Sequence, residues 1–155
     1  ASYEVHQVRF LLVKRIVAME PGRSIEAQMS LPSSEELFQD HFPGFPVVPG
    51  VLLTEMMAQA AGKCLNAERR PRGNAMLVEV RSARFRQWVR PDETIGLHAT
   101  IESNQDDFAT ARCHATVGGR KVCSAELLFA FRPLSEFAPD YRDEVLEEFL
   151  LRHGT

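Results

Sequence analysis

The stretch from Val51 to Leu65, VLLTEMMAQAAGKCL, is apolar on most of its faces, with Thr54, Glu55, Gln59 and Lys63 as its polar interruptions. A helix apolar nearly all round belongs inside a protein, so the rest of the chain has to wrap around this one. The loop leading into it carries His41 and then Pro43, Gly44, Pro46, Pro49 and Gly50. Proline fixes φ and glycine opens backbone angles other residues avoid, so this loop is held extended and sharply turned. A carboxylate inside an apolar helix is costly unless paired or protonated, so Glu55 is either satisfied by neighbours or kept for chemistry.

The flanking segments predict an α+β order. Residues 7–18 form a first strand, Glu20-Pro21-Gly22 a turn, and Ser24 to Leu31 a second strand. Ser33 or Ser34 caps a short helix, with Glu35 and Glu36 near its positive end. Beyond the central helix, Asn74 to Val89 is strand-like, and Ile95, Leu97, Ala99 and Ile101 alternate inward in the next strand. Phe108 to Val117 and Lys121 to Phe131 flank Gly118-Gly119, a strong hairpin signal. Without βαβ alternation, one antiparallel sheet around one buried helix is expected rather than a doubly wound parallel sheet. Such a sheet leaves an open edge, so self-association is expected.

With 155 residues, the chain has the length of one domain, able to bury about two-thirds of its unfolded surface. Three cysteines (Cys64, Cys113, Cys123) form no CxxC or Cys/His metal spacing. They point to buried thiols in a reducing cytoplasm rather than to disulfides or zinc. Phe10 to Val13 is only a short apolar run between Arg9 and Lys14, so neither a secretory leader nor a membrane span is expected.

The motif segment is where a family resemblance becomes specific. His41-Phe42-Pro43-Gly44, Pro46, Pro49-Gly50-Val51-Leu52, Glu55 and Met57-Ala58-Gln59-Ala60-Ala61-Gly62 resemble the signature of the 3-hydroxyacyl-[acyl-carrier-protein] dehydratases of type II fatty acid synthesis. Ala83-Arg84-Phe85-Arg86 with Val89 and Pro91, and Phe10-Leu11-Leu12-Val13 with Arg15, match in the same order. The resemblance implies a hot-dog fold over residues 1–133, followed by a C-terminal helical extension over 134–155. It further implies a homodimer with shared active sites, His41 of one chain facing Glu55 of the other, and assembly into a hexameric trimer of dimers. Glu55 resembles the branch that dehydrates without isomerising the double bond, where the isomerising branch usually has aspartate.

On this resemblance the reaction is reversible loss of water from a 3-hydroxyacyl thioester to give the trans-2-enoyl thioester. It needs a base at C2, an acid for the departing hydroxyl and a group that polarises the carbonyl. His41 suits the base, because neutral imidazole titrates near working pH, and Glu55 the acid. The N–H of Gly50, at the start of the central helix, suits the thioester oxygen, because unpaired amides and the helix dipole favour negative charge there. Gln59, one turn beyond Glu55, supports it by hydrogen bonding. Phe42, Pro43, Gly44 and Val51 border the substrate loop and tunnel. The thioester supplies its own activation, so no metal and no organic cofactor is expected.

The plainer readings stand beside these. A lone loop histidine is most often structural, and it is the surrounding motif that raises His41 above that. Glu55 alone could be a core carboxylate paired with an arginine. His98 and His114 fall on the polar side of their strands and suggest solvated surface, and His6 and His153 carry no constellation. Met56 and Met57 suggest core packing, although flexible methionines also suit an acyl tunnel. Net charge is −3, yet Lys63, Arg69, Arg70, Arg72, Arg81, Arg84, Arg86 and Arg90 crowd one segment opposed there only by Glu68 and Glu79. Arg81, Arg84, Arg86 and Arg90 suit an acidic acyl carrier protein; nucleic acid is a poor match, because no recognised binding motif accompanies them.

Lys14, Val8-Arg9, Trp88, Arg90 and Asp92 depart from the family pattern without touching His41 or Glu55. Tyr141, Val145, Phe149 and Leu150 make an apolar stripe among acidic residues, predicting a docked C-terminal helix. A hot-dog acyl thioesterase and a non-catalytic acyl-binding subunit are the rival functions. The HFPG loop with its downstream glutamate argues against the first, and retention of both His41 and Glu55 against the second.

Overall fold

The structure, a computed structural model, describes residues 11–40, 44–136 and 141–153. Its strands are β1 (Arg15–Glu20), β2 (Ser24–Met29), β3 (Asn74–Phe85), β4 (Ile95–Asn104), β5 (Phe108–Val117) and β6 (Arg120–Arg132). Its helices are α1 (Leu37–Asp40), α2 (Gly50–Asn66) and α3 (Glu144–Arg152), with a 3₁₀ turn at Leu134–Glu136. The strands form one antiparallel sheet in the order β1-β2-β4-β5-β6-β3.

The sheet wraps α2, which touches every strand from β2 to β6. Leu53, Met56, Met57, Ala60, Ala61, Cys64 and Leu65 of α2 are buried in one core with Leu97, Ala111, Cys113, Leu127 and Phe129 of the sheet. Small residues on this helix bring its backbone close to the strands. Both methionines are fully buried, which supports their packing role. The alternation in β4 places Ile95, Leu97 and Ala99 inward, with Ile101 half-buried. The β5–β6 hairpin closes on Gly118 and Gly119 at φ +58° and +79°, the two consecutive positive values that a type I′ turn demands.

Several element bounds depart from the sequence expectation, among them β2, which ends at Met29 rather than Leu31. The first strand starts at Arg15 and runs on to Glu20, beyond its expected end at 18; residues 7–10 lie outside the described residues. Leu12 and Val13 are buried, and Leu12 donates its N–H to Gln59 Oε1 (2.9 Å), so this stretch is drawn to the helix rather than to the ladder. The short helix starts at Leu37, because the Ser33 N–H goes to Asp92 Oδ1 (3.3 Å) and turns closed by Pro32 and Glu35 carbonyls use the next amides. Strand β3 ends at Phe85 rather than Val89. Arg86 and Gln87 both donate to the carbonyl of Val122, which takes the ladder out of step.

The C-terminal helix docks as an amphipathic element, but on a rotated stripe. Leu146 and Leu150 enter the core, Val145 and Phe149 are half-buried, and Tyr141 is exposed. The N-cap of α3 is Asp143, whose carboxylate accepts from the N–H of Leu146 (3.1 Å).

Both edges of the sheet are single strands, and β3 is the bare one. From Val78 to Phe85 every residue of β3 is exposed, including Val78, Val80 and Phe85. Glu79, Arg81 and Arg84 alternate with these apolar residues, and the backbone of an exposed edge strand is a template for pairing with another chain.

Candidate active site

The site is built at the start of α2. Val47 and Val48 are buried anchors of the loop, and Val48 donates to the carbonyl of Val89 (2.7 Å), which fixes where the helix begins. Pro49 is the N-cap, with φ −56°, and it carries no side-chain acceptor for the first-turn amides. Leu52 and Leu53 donate to the carbonyl of Pro49 (3.0 and 3.2 Å), and the N–H of Gly50 stands ahead of them at the positive end of the helix, with no side-chain cap. A Cβ on Gly50 would come within 3.1 Å of the Phe85 ring. Glycine therefore lets the end of β3 press onto the helix start.

Glu55 lies just over one turn further on and is half-buried. Gln59 donates from Nε2 to Glu55 Oε1 (3.2 Å) and accepts from the Leu12 N–H at Oε1 (2.9 Å). The second bond sets the amide's orientation: its carbonyl is taken by Leu12, so its NH2 faces the carboxylate. Glu55 is thus held by a donor that is itself held. It opens into a hollow of about 530 Å³ that also touches Gln59, Gly62, Lys63, Met76 and Tyr141.

Of the other expected site residues, His41, Phe42 and Pro43 lie outside the described residues. Gly44 is exposed at φ +84°, and Val51 is 77% exposed on the outer face of the first turn. Beside them Phe45 meets Trp88 edge-to-face at 5.7 Å between ring centroids. Glu55 and Gln59 are brought into contact, and Gly50 lies on the same end of the same helix.

The basic segment does not stay one patch. Lys63 is buried and bonds Asp143 at 2.7 Å. Arg72 bonds Glu68 and Asn104 and stacks 3.7 Å over the ring of Phe131, while Arg70 pairs with Asp106. Folding brings Asp106 and Asp143 to these cations, so they are structural. Arg81, Arg84, Arg86 and Arg90 remain exposed, and among the described residues a loose Arg81–Glu79 pair (4.0 Å) is their only ion pair.

His98 and His114 correct the expectation of solvated surface. They are cross-strand neighbours, half-buried, with rings stacked at 4.5 Å. Burial, then the neighbouring His98 and Lys121, hold His114 below the usual imidazole range. All three thiols are free and buried, and burial pushes Cys64 and Cys123 up to about 11 and Cys113 to about 12. Among the described residues no cluster of His, Cys, Asp or Glu could hold a metal ion, and no helix is long and apolar enough to cross a membrane.

Three contributors escaped the sequence reading: the Leu12 N–H, the Lys63–Asp143 pair and Tyr141. A cation in the buried helix eight residues after Glu55 is the one local signal that could have pointed to the pair.

A sheet around a buried helix, with a carboxylate–amide pair near the helix start, is the frame that the dehydratase resemblance implies. The family model described as ApeI-like, ApeI dehydratase, matches residues 18–124. The 3-hydroxyacyl-[acyl-carrier-protein] dehydratase FabZ of Oenococcus oeni is 40% identical over 128 residues, covering 82% of this chain and 92% of the relative. FabZ of Lactobacillus helveticus is 41% identical over 120 residues, covering 77% and 81%. The fold is also that of the dehydratase heterocomplex ApeI:P from Xenorhabdus doucetiae, with a TM-score of 0.67 at 16% identity over 84% of this chain and 89% of that one. The chain belongs to the hot-dog 3-hydroxyacyl-[acyl-carrier-protein] dehydratase family.

Proposed function

We propose that the protein catalyses the reversible dehydration of (3R)-3-hydroxyacyl-[acyl-carrier-protein] to the trans-2-enoyl form, without isomerising the double bond. The observation that carries this reading is the Leu12–Gln59–Glu55 chain of hydrogen bonds beside the uncapped N-terminus of α2. A carboxylate fixed in this way can present a proton to a leaving hydroxyl without reorganising. In the proposed mechanism His41 takes the C2 proton and the N–H of Gly50 receives the charge that builds on the thioester oxygen. Glu55 gives its proton to the C3 hydroxyl, which departs as water. The electrons of the broken C2–H bond become the new C2–C3 double bond. The proposed reaction calls on no metal or organic cofactor.

His41 is supplied by a second copy paired along β3, whose exposed half supports a homodimer; further assembly into a hexamer fits the same proposal. Arg81, Arg84, Arg86 and Arg90 form the landing surface for an acidic carrier protein, and Phe42, Pro43, Gly44 and Val51 border the substrate's entry. A cytoplasmic setting accords with the three free thiols. Hydrolysis by a thioesterase relative is less well supported, because the curated relatives reported above are dehydratases.

The test is hydration of a trans-2-enoyl thioester on acyl carrier protein, followed by loss of enoyl absorbance. Turnover by the native protein and collapse in both His41→Ala and Glu55→Gln is the expected result. Release of free thiol instead would make it a thioesterase, and an inert, folded assembly a binding subunit. Val80→Lys, which puts a charge on the bare edge, is expected to yield monomers in sedimentation and to abolish turnover.

A further inference from the structure

The hollow that holds Glu55 follows α2 past Ala58, Gly62 and Lys63 to Asn66, and is lined also by Met76 and Leu77 of β3. Eight residues of helix separate Glu55 from Lys63, roughly 12 Å along the axis. Next to Lys63, Gly62 is buried, yet a Cβ added there would meet nothing within 4 Å. A buried glycine facing open space marks a channel rather than packed core. The far wall is formed by Tyr141, Arg142 and Asp143, outside the 18–124 span that matches the family model.

That wall is pinned. Lys63 Nζ and Asp143 Oδ2 lie 2.7 Å apart with 7% and 16% of their side chains exposed, and the other oxygen of Asp143 caps α3. A buried cation on a core helix is tolerated only with such a partner. The pair therefore couples the position of the C-terminal segment to the central helix. We propose that the Tyr141–Asp143 segment, locked by the Lys63–Asp143 ion pair, is the end-stop of the acyl channel and sets the longest chain the enzyme accepts. This rests on the dehydratase reading, in which the reacting carbons sit at Glu55 and the alkyl tail runs along α2.

The experiment measures kcat/KM for trans-2-enoyl-[acyl-carrier-protein] substrates of increasing chain length and reads the long-to-short ratio. Gly62→Ala, which narrows the channel, is expected to lower that ratio at least about tenfold, the scale on which an apolar pocket resolves a methylene. Tyr141→Ala and Asp143→Ala, which remove or unpin the wall, are expected to raise it. Asp143→Ala can lose folding through its uncompensated lysine, whereas Gly62→Ala and Tyr141→Ala leave the ion pair intact. Unchanged ratios in those two folded variants, or an equal loss at every length in Gly62→Ala, would overturn the end-stop while leaving the dehydratase reading in place. A native protein inert at every length would remove the dehydratase reading and the end-stop together.

Discussion

The two ends of α2 are built on opposite terms. At its start the N-cap is a proline with no acceptor to offer, Val51 faces solvent, and Glu55 is held through Gln59 at the mouth of a hollow. At its close Cys64 and Leu65 are fully or nearly fully buried, Lys63 is matched by Asp143, and Asn66 accepts the N–H of Ala75 (2.8 Å). Lys63 and Asn66 at the closing end are committed to other parts of the chain. The opening end keeps first-turn amides without a side-chain cap and a carboxylate that faces a hollow. Within one helix, the satisfaction of polar groups differs from one end to the other.

The sharpest test of this contrast is Glu55→Gln. It is expected to lower enoyl hydration by about 10²–10⁴-fold, the usual worth of a positioned acid, while the thermal midpoint moves little. A large fall in stability would place Glu55 with the structural groups and break the contrast. Leu65→Ala should do the reverse, lowering unfolding free energy by about 2–5 kcal/mol in urea titrations, as for truncation of any buried leucine. Lys63→Ala leaves Asp143 without its cation and is expected to cost on the order of 1–3 kcal/mol in the same titration.

Gln59→Leu removes the donor to Glu55 and the acceptor for Leu12. A loss of turnover of about tenfold is expected, as the carboxylate loses the donor that orients it. Unchanged turnover in the folded variant would reduce Gln59 to a packing residue. The smallest effect concerns Cys64, whose pKa is raised from 9.0 to about 11 by burial. A raised folded-state pKa stabilises fully below 9.0 and loses that contribution as pH climbs toward 11. The urea midpoint should therefore fall over this window, less steeply in Cys64→Ala, and native Cys64 should resist iodoacetamide at pH 8.

How far the sequence was legible follows from the range of each interaction. The buried helix rests on local apolar density, the β5–β6 hairpin on two adjacent glycines, and the Glu55–Gln59 contact on i,i+4 spacing. All are visible within a few residues. Leu12 reaching Gln59 across 47 positions, and Lys63 meeting Asp143 across 80, are products of folding alone. The basic run misled for the same reason: Asp106 and Asp143 are remote in sequence and adjacent in space to Arg70 and Lys63. The late start of β1 has a similar origin, since an apolar run in the N-terminal segment found the helix a better partner than the ladder.

The bare half of β3 reaches beyond architecture. If base and acid come from different copies across that edge, a lone chain carries only half of the proposed reaction's machinery. Dilution then switches the protein off without unfolding it, and specific activity rises with chain concentration until pairing saturates. The rate would be metered by how often two chains meet as well as by how much is made.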